Sequence, residues 1–165
     1  MLARVRRAAM AMAMFVVIWG CGSEQSHPAP IGALVPQVGK VSVIPDPALA
    51  EDRQQRLEKL GAVFMLKGAL EAALAKVGKL DPNSPVTLEV EIIRFRMRSG
   101  ATVFWFGAMA GADLLDVRAV AHDGDRTLRT VETGAGSIGA FVGLSQESRF
   151  EKLIRAVAER VVKDI

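Results

Sequence analysis

The sequence predicts an α+β domain: a small antiparallel-rich sheet with two helices packed on one face, in the order β-α-β-β-β-α. Three observations predict it. Apolar and polar residues alternate in several stretches, a long run of helical period precedes the longest of them, and an amphipathic run follows. The 165 residues leave room for one ordinary domain, expected over residues 40–165.

Lys40 to Ile44 alternates as a short strand and stops at Pro45 and Pro47. From Pro47 to Lys79 the period is helical, with Asp46 or Asp52 as cap and Leu57, Leu60, Phe64, Leu70, Leu74 and Val77 as the apolar stripe. Asp81-Pro82-Asn83-Ser84-Pro85 turns the chain. Val86 to Arg98 is the next strand, with Val86, Leu88, Val90 and Ile92 on one face. At Ile92-Ile93 the parity shifts to Phe95 and Met97, which calls for a β-bulge. Ala112 to His122 alternates again, Leu115, Val117, Ala119 and Ala121 facing inward and Asp116 and Arg118 outward. Asp123-Gly124 turns into a strand over Arg126–Thr133. Glu147 to Asp164 closes the fold as a helix with Phe150, Leu153, Ile154, Val157 and Val161 along one stripe.

Residues 1–20 have the three parts of an export signal: Arg4, Arg6 and Arg7, the apolar run Ala8 to Ile18, and a small Gly20 before Cys21. Eleven helical residues rise about 16 Å, short of the roughly 30 Å hydrocarbon core, so the run does not span a membrane. Ile18-Trp19-Gly20-Cys21 resembles the lipobox of bacterial lipoproteins, with Trp19 in a place that usually holds a smaller residue. That resemblance implies a lipid-modified Cys21, loss of the leader, and a membrane anchor. Gly22, rather than Asp, after the cysteine implies the outer membrane, the domain facing the periplasm. A rival cut at Gly20-x-Gly22 would release a free periplasmic protein. Residues 21–39, with Pro28, Pro30 and Pro36 and no period, read as a flexible tether.

Charge and composition exclude several classes. The net charge of +3 comes from the leader, because setting Arg4, Arg6 and Arg7 aside leaves 18 basic residues against 18 acidic. A phosphate-backbone grip needs a concentrated basic surface, so no nucleic-acid partner is expected. One cysteine and two histidines, His27 and His122, give no material for a metal site or imidazole catalysis. No metal, no cofactor and no enzymatic activity are expected.

Three constellations bear on chemistry. Gly134-Ala135-Gly136-Ser137-Ile138-Gly139 matches the dinucleotide-binding glycine string, but the polar strand before it and the single helix after it cannot complete a βαβ unit. Ser137 lacks the outer glycine of a nucleophile elbow, and both histidines precede it, so it reads as a loop residue. Glu89 and Glu91 share a solvated strand face, where pairing across to Arg118 accounts for them.

The unusual feature is apolar. Ala101 to Ala112 has no charge and holds Phe104, Trp105, Phe106, Gly107 and Gly111, and a second spacing of small residues runs from Gly139 through Phe141 to Gly143. Two readings stand: the segments complete the core, or they form an exposed apolar lip touching lipid, a lipid-like ligand or another envelope protein.

The succession from the arginine-ended strand through Phe106-Gly107-Ala108-Met109-Ala110-Gly111-Ala112, the alternating strand to Asp123-Gly124, Gly134 to Gly143 and the final helix resembles the bacterial lipoprotein family called domain of unknown function forty-four ten. It implies an envelope protein with a small α+β domain and brings no functional residue with it. The expected function is a non-enzymatic binding or assembly role, with a membrane reached through the lipid anchor and an envelope protein or a second copy as partner. The alternative is an auxiliary lipoprotein of a lipid or envelope-component transport system that uses the apolar Gly/aromatic segment.

Overall fold

The computed structural model describes residues 30–99, 111–138 and 144–165. The protein is α+β. Five strands, β1 (Ile31–Gly32), β2 (Lys40–Pro45), β3 (Val86–Arg96), β4 (Ala112–Asp123) and β5 (Arg126–Ile138), form one mixed sheet in the order β1-β5-β4-β3-β2. Among the described residues three helices accompany it: α1 (Glu51–Lys59), α2 (Ala62–Lys76) and α3 (Gln146–Asp164). The sheet is antiparallel except where β2 runs parallel to β3, the two joined through α1 and α2. The inward residues of β3 and β4 and the apolar stripes of α2 and α3 make one core, which includes Leu88, Ile92, Leu115, Val117, Leu70 and Val157.

The alternation in β3, the inward residues of β4 and the stripe of α3 are as expected, and the register between β3 and β4 slips between Ile92 and Arg94, at the anticipated bulge; Asp116, expected to face out, is instead buried beneath Gly134 and paired with Arg94 at 3.4 Å. Five details differ. The single helix expected over residues 47–79 is two, because Gly61 adopts a left-handed φ of +62° that an L side chain would strain. The break resets the helical phase, so the buried stripe of α2 is Ala62, Leu66, Leu70 and Leu74, while Phe64 is 83% exposed. Neither expected cap serves: α1 starts after Ala50 with no side-chain cap, Asp52 lies inside its first turn, and the Asp46 carboxylate instead accepts from the Ala48 N–H at 2.7 Å. Fourth, β5 runs on through Gly134–Ile138, which was expected to be loop. Fifth, residues 31–39, placed in the tether, are tied to the domain. β1 pairs with β5, Val35 and Val38 are buried, and the Val35 N–H donates to the Ile165 carbonyl at 2.9 Å.

The glycine at 134 is a packing requirement. A Cβ there would stand 1.9 Å from Asp116 Oδ1, so β5 crosses that carboxylate only without a side chain. The β4–β5 turn uses Gly124 and Asp125, one position later than expected.

Candidate functional site

The described residues place their most unusual chemistry where β3 ends and β4 begins. Asp113 sits on the inward parity of β4, shared with Leu115 and Val117, and is fully buried. An ionised carboxylate there requires partners, and it has two arginines. Arg98, just past β3, donates to Asp113 Oδ1 from its backbone N–H at 2.8 Å and from Nε at 3.1 Å. Arg149, in the first turn of α3, donates to Oδ2 from Nη1 at 2.7 Å. Arg98 Nη2 lies 3.4 Å from the same oxygen, so the carboxylate's acceptor sites are filled.

The two guanidiniums also hold the backbone. Arg98 donates to the carbonyls of Gly111 and, at 3.2 Å, Ser137, and Arg149 Nη2 donates to the Arg98 carbonyl at 2.8 Å. The cluster therefore joins the end of β3, the start of β4, the end of β5 and the start of α3. Those four points flank residues 100–110 and 139–143, the two apolar glycine-containing segments. Phe95 and Phe150 meet edge to face beside it, with ring centroids 5.8 Å apart. Two arginines against one aspartate leave a net positive charge in a buried setting. Among the described residues, Ser137 Oγ and Arg149 Nε are buried without a hydrogen-bond partner.

α3 enters this cluster with a proper start. Ser145 caps it by accepting the Ser148 N–H at 3.2 Å. A free backbone N–H and the Ser145 hydroxyl then hold the Glu147 carboxyl below its ordinary range.

The residues singled out from the sequence fall in different places. Of the apolar contact segment, Gly111 is described, and its backbone packs under Arg96. Phe104, Trp105, Phe106, Gly107, Gly139, Phe141 and Gly143 lie outside the described residues, as do Cys21, His27 and residues 1–20. Ser137 is a buried strand residue rather than a loop residue, paired across the ladder with Asp113, and its carbonyl accepts from Arg98. His122 stands toward the far end of β4, with Nδ1 3.4 Å from Thr127 Oγ1. On the outer sheet face Arg118 bonds Glu132 at 2.7 Å and Glu91 at 3.1 Å, the cross-strand pairing anticipated for Glu91. The hydrogen bond to Glu132 raises the Arg118 pKa most; burial, the next largest effect, opposes it, and the charges of Glu132 and Glu91 add to the rise. Among the described residues no group of three or more His, Cys, Asp or Glu converges as a metal site, and no helix is long and apolar enough to cross a membrane.

Sequence reasoning missed Arg98, Asp113 and Arg149 as a unit. Two signals were present: an acid on the inward parity of β4, and an arginine four residues before Leu153 on the buried stripe of α3.

Two further features complete the surface. A cavity of about 430 Å³ opens between α1 and the end of β3. A larger groove of about 1040 Å³ runs between α2 and α3, over Met65, Ala69, Ala73, Ile154 and Ala158. The chain enters the domain elsewhere, where Ile31 pairs with Thr130. From there to Ile138 along β5 is about 25 Å at the strand rise.

No family model matches the chain, and no curated protein does. Solved structures with a similar arrangement include PelC from Paraburkholderia phytofirmans, a dodecamer, at 12% identity over 79% of this chain and 92% of that one, with a TM-score of 0.46. A Xanthomonas campestris protein of the DUF330 family is 16% identical over 79% and 76%, with a TM-score of 0.43. A minor lipoprotein from Acinetobacter baumannii is 15% identical over 76% and 90%, with a TM-score of 0.37.

Proposed function

We propose that this chain is a cell-envelope lipoprotein with a non-enzymatic binding or assembly role, held at the outer membrane by acyl chains on Cys21 and facing the periplasm. The observation that carries the reading is Ile18-Trp19-Gly20-Cys21, a lipobox-like tetrapeptide at the end of an apolar leader, nine residues before the described fold begins. Each buried methylene contributes about 0.8 kcal/mol, so two or three acyl chains make the attachment effectively permanent.

The geometry of the domain supports a division of labour. The chain enters near the hairpin half of β5, and the Arg98–Asp113–Arg149 cluster holds the roots of both apolar segments at the other end. A second reading, an auxiliary of lipid or envelope-component transport, draws on the apolar groove between α2 and α3.

One experiment bears on both. Native mass spectrometry of protein extracted gently from its own membranes should show a processed chain beginning at an acylated Cys21, and Cys21→Ser should leave full-length precursor or release the domain to the soluble fraction. A bare thiol in the wild-type mass would overturn the reading. Additional non-covalent lipid mass would move the balance to the transport auxiliary, and its absence would move it away.

A further inference from the structure

Helices α2 and α3 run in the same direction. α2 leads from the end of β2 back to the start of the parallel β3, and α3 returns along β5, which runs parallel to β3 because both are antiparallel to β4. Their C-terminal ends meet one short segment: the Val38 N–H donates to the Lys79 carbonyl at 2.7 Å and the Val35 N–H to the Ile165 carbonyl at 2.9 Å. The groove of about 1040 Å³ opens between the two helices, with Ile154, Ala158 and Val162 buried along it.

α2 is apolar on two sides. Ala62, Leu66, Leu70 and Leu74 are buried in the core, while Phe64, Gly68, Ala72 and Ala75 recur on the opposite side and are all exposed. Of its three charged residues, Lys67 and Glu71 pair with each other at 3.9 Å. α3 edges the groove with Glu151, Arg155, Glu159 and Lys163. All four are exposed, and their side chains make no ion pair or hydrogen bond among the described residues.

The signs of those four charges alternate, and their order is its own complement when reversed. An antiparallel pairing of α3 with a second α3 about Val157 sets Glu151 against the partner's Lys163 and Arg155 against the partner's Glu159, each twice. A parallel pairing would set every charge against its like. The exposed side of α2 has the same property in shape. Reversed about Leu70, it lays Phe64 over the partner's Ala75 and Gly68 over the partner's Ala72, bulk against a small side chain. Val157 lies seven residues before the end of α3 and Leu70 six before the end of α2, about 10.5 Å and 9 Å along their axes, so one two-fold axis serves both helices.

We propose that two copies of this chain pair through α2 and α3, antiparallel, their grooves closing on each other as the centre of a four-helix layer. The apolar surface supplies the attraction, and the exposed charges, individually weak, fix direction and register. The pairing rests on the assembly role proposed above and makes no use of Cys21.

The test is sedimentation equilibrium of the full chain in a density-matched non-ionic detergent, with intact and native mass recorded on the same sample. The wild type is expected to show a monomer–dimer equilibrium. Arg155→Glu and Glu159→Arg should each weaken the dimer by about tenfold or more, because like charges then meet twice. The double variant Arg155→Glu/Glu159→Arg exchanges the signs and should return to within about threefold of the wild type. Phe64→Gln, on the exposed side of α2, should also weaken the dimer by about tenfold, and an unchanged circular dichroism spectrum in each variant would establish that the fold persists. A monomer at every concentration, a monomer that retains lipid, single variants that dimerise like the wild type, or a double variant as weak as the singles overturns the proposal. A monomer with an acylated Cys21 would sink the pairing and leave the anchor standing, whereas a dimer with a bare thiol would do the reverse.

Discussion

Two arginine–acid clusters stand on opposite faces of β4, and they are built in opposite proportions. On the open face, Arg118 reaches Glu91 and Glu132, with its side chain 44% exposed. On the covered face, Asp113 receives Arg98 and Arg149, and all three are buried. The contact distances are alike, yet the surroundings differ. Water screens the first and would solvate its members if they separated. The second has no such refuge, because losing one partner leaves a charge stranded in low dielectric. Burial, rather than the geometry of the pairs, decides what each cluster contributes.

The comparison breaks most sharply at Asp113. Asp113→Asn is expected to lower the unfolding free energy by about 3–5 kcal/mol, read as a drop in the urea midpoint, because two buried guanidiniums lose their counterion. Replacing Arg98, Asp113 and Arg149 together by Met, Leu and Met should recover most of that loss, which would show that the penalty lies in unpaired charge. An Asp113→Asn protein as stable as wild type would end the contrast. On the open face, Arg118→Gln should cost about 1 kcal/mol or less, measured the same way, and added salt should shrink the difference further. A cost approaching that of Asp113→Asn would mean that the outer face is covered in solution.

The smallest effect is expected at Glu147, on the approach to the buried cluster. Its folded pKa lies below the ordinary 4.5, so its contribution is complete above about pH 4.5 and is lost as pH falls through the folded value. Glu147→Gln should lower stability slightly at neutral pH, by less than Arg118→Gln does, and converge with the wild type below the folded pKa, so that the acid limb of the profile is a little flatter. A neutral-pH loss as large as that of Arg118→Gln would reverse the ranking.

Legibility in the sequence followed the distance over which each feature is determined. The alternation in β3 and β4, the bulge after Ile92 and the stripe of α3 are local periodicities, and they read correctly. The break at Gly61 was visible as a residue, yet helical spacing continues on both sides of it; what changed was the phase. Phe64 was therefore counted with the core and stands in solvent. The extension of β5 through Gly134–Ile138 was hidden because glycine and serine carry turn signals, while here β4 supplies the partner and Asp116 demands the missing side chain. The Arg98–Asp113–Arg149 cluster is assembled across separations of 15 and 36 residues, where no window of period reaches. β1, at two residues, has no period at all.

That shortest strand governs the order in which the molecule can assemble. Gly32 is bonded to Arg129 across 97 residues, and Val35 is fastened to Ile165. During synthesis the β4–β5 hairpin can zip as soon as both strands emerge, but the seam at β1 stays open until α3 has appeared. Closure of that N-terminal latch is therefore the last step that the sheet can complete, because its partner groups lie at the end of the chain.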